Sequence, residues 1–241
     1  MLWMKSLAKS RFVSKSDRYL KVSAGREKLA RLGQYTCRFV FIFTGSLLAN
    51  QLEKHFKFLF KCFGMFKPLH SIQQVVANEK GWKLWSLNSW FSLFRVYSLF
   101  LWQLFDHYNI LVLFNLVDSK SFNFAPMIPK IVNYLWLSTL FWTIMIELGQ
   151  IFLYQKEISV NEKALNNKQY KRNEIFIKSA LIKKKGNLEK RNATFRKIAS
   201  CVLDSFVVLK LLRLIDNYDS LIAFFGIVTS FWGIEDIWYA C

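Results

Sequence analysis

The chain has 241 residues, of which 53% are hydrophobic and 17% aromatic, and it carries a formal charge of +18. That length allows one large domain or two small ones and decides little. An apolar and strongly basic chain points instead to an anionic partner, and the apolar content favours a lipid surface over nucleic acid. The charge is concentrated: +8 in residues 1–38, +4 in 39–154, +9 in 155–197 and −3 in 198–241.

The first residues, MLWMKSLAKSRFVSKS, lack an apolar run suited to a secretory signal and have the Ser-rich, acid-free composition of a mitochondrial presequence. From Gly25 to Phe43 the pattern is helical, with Lys28, Arg31, Gln34 and Arg38 along one side, and Ser23 or Gly25 is the expected cap. In the stretch KHFKFLFKCFGMFKP, Leu52, Phe56, Leu59, Phe60, Phe63 and Phe66 share an arc of about 120° at 100° per residue, with Lys54, Lys57 and Lys61 opposite. This is an amphipathic helix, suited either to a protein core or to an anionic bilayer surface. Beyond Pro68 the apolar positions Leu69, Ile72, Val75 and Val76 move to nearly the reverse face, so the proline separates or kinks two helices.

Trp90–Val117 is apolar and aromatic but is interrupted by Arg95, Gln103, Asp106, His107 and Asn109, which makes it a poor membrane span. Ile131–Tyr154 is a better one, uncharged from Ile131 to Ile146, and Ser121–Pro129 reads as the turn between the two. Gln155–Lys197 holds thirteen Lys or Arg against four Glu and reads as a solvated basic loop or linker, helical in part at most. Two apolar helices follow, Ile198–Ile215 and Leu221–Tyr239. No alternating strand pattern competes, so the chain is expected to be all-α, a helical membrane protein with amphipathic interfacial helices and apolar membrane-associated ones. Its four regions are a basic amphipathic-helix region (1–80), an apolar region with a candidate membrane hairpin (81–154), the basic loop (155–197) and C-terminal apolar helices (198–241).

Residues capable of catalysis are scattered. His55, His70 and His107 are isolated, Cys37, Cys62, Cys201 and Cys241 have no zinc-site spacing, and no phosphate-binding or nucleophile motif occurs. Neither an enzyme nor a metal or other cofactor is expected. Asp106-His107 reads as a packing or headgroup-level pair, and Glu147 as a residue reaching the interface from the end of its apolar run. Alternating Lys and Phe could grip a single nucleic-acid strand, but six apolar residues on one helical face suit lipid or core contact, and no nucleic-acid motif is present.

Four blocks resemble the peroxin-eleven family, in particular its fungal branch: SAGREKLARLGQYTCRF at Ser23–Phe39, SLLANQL at Ser46–Leu52, FKPLHSIQ at Phe66–Gln73 and GIVTSFWGIEDIWYA from Gly226. SFVVLKLL at Ser205–Leu212 adds weaker support. The resemblance implies a helical, non-enzymatic protein of the peroxisomal membrane whose amphipathic region elongates that membrane before fission. It also implies self-association and cooperation with dynamin-type fission machinery, and a metabolite pore is the competing activity, with Arg95, Gln103 and Asp106 as its polar candidates.

Joined to the resemblance, the amphipathic pattern is read as lipid contact. Leu52, Phe56, Leu59, Phe60, Phe63 and Phe66 then insert into the membrane, while Lys54, Lys57 and Lys61, with Arg26, Lys28, Arg31 and Arg38 of the preceding helix, meet lipid headgroups. If basic flanks prefer one side, residues 1–38 and 155–197 lie on the same side, which favours a hairpin of Trp90–Val117 with Ile131–Tyr154.

Overall fold

The computed structural model describes residues 19–20, 22–63, 87–113, 116–117, 127–166, 174–215 and 218–240. Among them there is no strand, and six long helices carry the fold: α1 (Ser23–Thr44), α2 (Leu47–Phe63), α3 (Leu87–Leu113), α4 (Ile128–Asn166), α5 (Glu174–Leu211) and α6 (Asp219–Ala240). Phe66, Pro68 and the expected helix beyond it lie outside the described residues.

Local chemistry sets the helix ends. Gly45 takes the left-handed conformation (φ 64°) that a side chain disfavours, and its N–H closes α1 on the Phe41 carbonyl at 2.8 Å. Ser46 then accepts the Ala49 N–H at 3.4 Å and caps α2, so two residues suffice to turn the chain into a helical hairpin. At the start of α1 the cap is Val22, without a side-chain hydrogen bond, rather than Ser23 or Gly25. Gly25 has a different role: a Cβ there would lie 2.5 Å from the Tyr19 carbonyl oxygen. Pro129 stands in the first turn of α4, where an amide hydrogen has no helical partner to lose.

Neighbouring helices run antiparallel. α3 meets α4 through Phe91 and Phe94 stacked on Trp142, a Ser98–Ser138 hydroxyl pair at 3.1 Å and Trp102 stacked on Trp136. Glu147 of α4 pairs with Lys197 of α5, and Glu162 with Lys184 at 2.8 Å. On α5, Arg196 reaches Glu235 and Asp236 of α6, while Lys210 faces Asp219. α1 closes against α6 from Tyr19–Trp238 at one end to Arg38–Asp219 at the other. The core lies where α1, α4, α5 and α6 meet, around Tyr35, Leu140, Cys201, Val207, Val208 and Ile222.

The stretch 155–197 is far more helical than a solvated loop or linker with some helix: residues 155–166 continue α4 and residues 174–197 form most of α5. One apolar seam is enough to hold such lysine-rich helices together, and Ile158, Ala180 and Thr194 supply buried positions along it. Arg191 adds a hydrogen bond to Gln155 at 2.9 Å. With 39 and 38 residues, α4 and α5 overshoot the 22-residue α1 and α6, and the overshoot is the basic segment.

Antiparallel packing also sorts the bundle's ends. The α1–α2 turn, the start of α4 and the α5–α6 turn lie together and expose Phe43, Leu47, Leu48, Met127, Leu214 and Tyr218. The opposite end carries the start of α1 and the basic extension of α4 and α5.

Candidate membrane interface

The apolar arc of α2 divides in two. Phe56, Phe60 and Phe63 are half-buried, whereas Leu52 and Leu59 are exposed. Phe56 lies over Gly33 of α1, where a Cβ would come within 2.8 Å of the ring, so glycine is what lets these helices approach. Phe63 lies under the Arg26 guanidinium at 5.3 Å. Phe60 lines a cavity of about 30 Å³ shared with Glu27, Trp102, Gln103 and Asp106, room for roughly one water. Leu52 and Leu59 continue instead into the exposed Leu47 (76%), Leu48 (65%) and Phe43 (67%) of the hairpin tip.

The expected headgroup cations also divide. Lys54 and Lys57 are exposed on α2, and Arg26 is exposed on α1. Lys61 instead pairs with Asp106 of α3 at 2.9 Å, Lys28 packs over Gly233 of α6, and Arg38 reaches Asp219 at 3.3 Å. Arg31 departs furthest from a headgroup role. It is 7% exposed, donates to Asp204 at 2.5 Å and to the Thr229 hydroxyl at 3.5 Å, and lies over the rings of Tyr35 and Trp136. Burial, the largest single influence, would lower its pKa, but the charge and hydrogen bond of Asp204 together with Tyr35 and Glu27 outweigh it and hold it above the ordinary arginine value. A guanidinium excluded from water needs such a partner, and the acidic C-terminal segment supplies it.

Periodicity missed this cluster because its members lie on four helices. A legible signal was the presence of carboxylates in an otherwise apolar C-terminal segment. Glu147 likewise sits buried against Lys197 rather than reaching an interface. Cys201, buried near Asp204, has its thiol pushed up to about 11 by burial first and by that carboxylate second. Asp106 and His107 act in packing: the first pairs with Lys61, and Nδ1 of the second lies 2.7 Å from the Gln103 carbonyl oxygen.

Two described helices are long and apolar enough to cross a bilayer, Ile128–Lys163 of α4 and Asp219–Tyr239 of α6. Of the two segments of the expected hairpin, α4 meets this criterion of length and apolarity and α3, interrupted by polar residues, is not among the helices that do. Thr139 and Thr143 bond their hydroxyls back to the Leu135 and Thr139 carbonyls, which satisfies them inside an apolar helix. Outward-facing Phe141, Phe152, Phe224 and Phe231 are exposed on these two helices, more apolar surface than water accommodates well.

The family described as Peroxisomal biogenesis factor 11 (PEX11) matches residues 13–238. The chain is 30% identical over 234 residues to peroxisomal membrane protein PMP27 of Saccharomyces cerevisiae, covering 95% of each. It is 30% identical to peroxisomal membrane protein PMP30B and 29% identical to PMP30A, both of Candida boidinii, over 95% of this chain and 94% of each relative. No solved structure matches. Two of the blocks that carry the likeness, at Ser23–Phe39 and from Gly226, are the two faces that pack together as α1 and α6: Tyr35 fills the space beside Gly226, and Lys28 that beside Gly233. An all-helical chain with two apolar candidate spans and a match of this extent belongs to the PEX11 family of peroxisome biogenesis factors, as a protein of the peroxisomal membrane.

Proposed function

We propose that the protein remodels and elongates the peroxisomal membrane ahead of fission, with α2 and the α1–α2 turn as the inserting element. The supporting observation is the exposure of the apolar Phe43, Leu47, Leu48, Leu52 and Leu59 together with that of Lys54 and Lys57. Such side chains wedge among acyl chains while ammonium groups stay with phosphates, which expands one leaflet and favours curvature. Phe56, Phe60 and Phe63 anchor α2 to its neighbours and enlarge the inserting face when α2 swings out; Phe66 extends the same arc in sequence. Self-association and recruitment of dynamin-type fission machinery complete this reading on family resemblance.

The pore alternative has less support. Gln103 is buried and Asp106 is paired with Lys61 beside a cavity of about 30 Å³, and Arg95 does not line it. Stable unitary currents from the purified protein in planar bilayers, altered by Arg95→Gln or Asp106→Asn, would favour the pore.

Full-length protein should tubulate vesicles containing anionic phospholipid. Leu52→Glu with Leu59→Glu should abolish this while preserving the contact of Phe56 with α1, since each change removes roughly 1.5–3 kcal/mol of apolar burial and adds a charge that the lipid repels. Undiminished tubulation by a correctly helical double variant would defeat the proposal.

A further inference from the structure

Beyond α2, the overshoot of α4 and α5 encloses a groove of about 640 Å³. Lys156 lines it from α4, and Lys183 and Lys190 from α5. These three lysines form no ion pair with a described residue, in contrast to the neighbouring Lys184, Arg196 and Lys197, which each face a carboxylate. Glu157 is the single acidic residue in the lining, so the groove keeps an excess of positive charge. Asn187 adds a side-chain amide, and Gly186 leaves space: a Cβ built there meets nothing within 4 Å.

Depth along α4 gives the groove its meaning. The stretch from Ile131 to Phe152, apolar apart from a few polar residues and Glu147, whose charge Lys197 neutralises, rises about 30 Å, the thickness of a bilayer's hydrocarbon core. α4 is long and apolar enough to cross the bilayer, and the site rests on that crossing: Lys156 then emerges at the level of lipid phosphates. Leu153, exposed and on the bilayer side of Lys156, lines the same groove and offers an apolar wall to the upper part of an acyl chain, while the exposed Val160 lines it one turn further out. Phe152 (76% exposed) and Ile182 (72%) flank it, one on each helix.

We infer that this groove is a binding site for one anionic phospholipid, its phosphate held by Lys156, Lys183 and Lys190 and its glycerol end lying against Leu153. The charge complementarity favours a headgroup with an exposed phosphomonoester, because three ammonium groups match a nearly dianionic phosphate better than a zwitterion. The site is separate from the lysines of α2.

The test uses full-length protein in neutral detergent micelles doped with phosphatidic acid or with phosphatidylcholine, with retained lipid counted by native mass spectrometry. Wild type should retain one phosphatidic acid and no phosphatidylcholine. Lys156→Gln, Lys183→Gln and Lys190→Gln combined should weaken retention by at least about tenfold, since each lysine near a phosphate contributes appreciably. Gly186→Phe should do the same by filling the groove while leaving the charge intact, and it replaces a poor helix former with a better one, so folding is preserved. Lys130→Gln, an exposed lysine at the start of α4 at the opposite end of the bundle, should retain the lipid as wild type does.

Retention unchanged by Gly186→Phe would mean diffuse surface attraction and would overturn the site. Equal retention of phosphatidylcholine would overturn its selectivity, and displacement by millimolar inorganic phosphate would assign the groove to a soluble anion. Because the micelle assay needs no membrane deformation, it can fail while tubulation through α2 persists, and the reverse.

Discussion

Arg31 and Asp204, 173 residues apart in the chain, meet at 2.5 Å in the interior, and the contact ties α1 to α5. Around it the basic N-terminal region and the acidic C-terminal segment neutralise each other in pairs, Arg31 with Asp204 and Arg38 with Asp219. The +8 of residues 1–38 is therefore not all available to lipid.

Removing one partner strands the other charge in a dry interior. Arg31→Met or Asp204→Leu alone should destabilise the folded protein by roughly 3–5 kcal/mol, whereas both together should recover most of the loss. Chemical unfolding in mild detergent measures this. Additive losses in the double variant would mean that the two side chains do not interact.

The close approach of α1 to α6 depends on Gly226, where a Cβ would lie 2.4 Å from the Tyr35 ring. Gly226→Ala should cost roughly 1–3 kcal/mol through overpacking. Adding Tyr35→Leu should return part of it, because a smaller side chain frees the space. Proteolysis of the α1–α2 segment, followed over time, reads out its release from α6.

Cys201 tests the core chemically. With its thiol pushed up to about 11 and its side chain buried, it should resist maleimide near neutral pH while the half-buried Cys62 reacts. The folded state holds this proton more tightly than the unfolded chain, whose thiol titrates at about 8.5. The associated stability is thus complete below that pH and declines as pH rises toward 11. Rapid labelling of Cys201 in the native protein at neutral pH would contradict its placement.

The antiparallel bundle brings the start of α1 and the basic overshoot to one end and the α5–α6 turn to the other. In intact organelles, an impermeant thiol reagent should treat Ser23→Cys and Lys184→Cys alike and Tyr218→Cys oppositely, in a background lacking native cysteines. Equal labelling of all three would show that the bundle lies on the membrane without crossing it.

Some of this was legible in the sequence because it depends on neighbours along the chain. The 3.6-residue spacing of Leu52, Phe56, Leu59 and Phe60 marks a helix wherever it lies, and the apolar run after Ile131 has nearly the length of a bilayer. Lysine content alone suggested a loop at 155–197, since composition reports solvation and not whether a partner helix offers a seam. Which half of α2's apolar arc remains exposed, and which cations are free for lipid, only the tertiary structure decided. A helical face shows what can be buried, but burial needs an opposing surface. Here Gly33, Asp204 and Gly226, distant in sequence from Phe56, Arg31 and Tyr35, provide that surface through space.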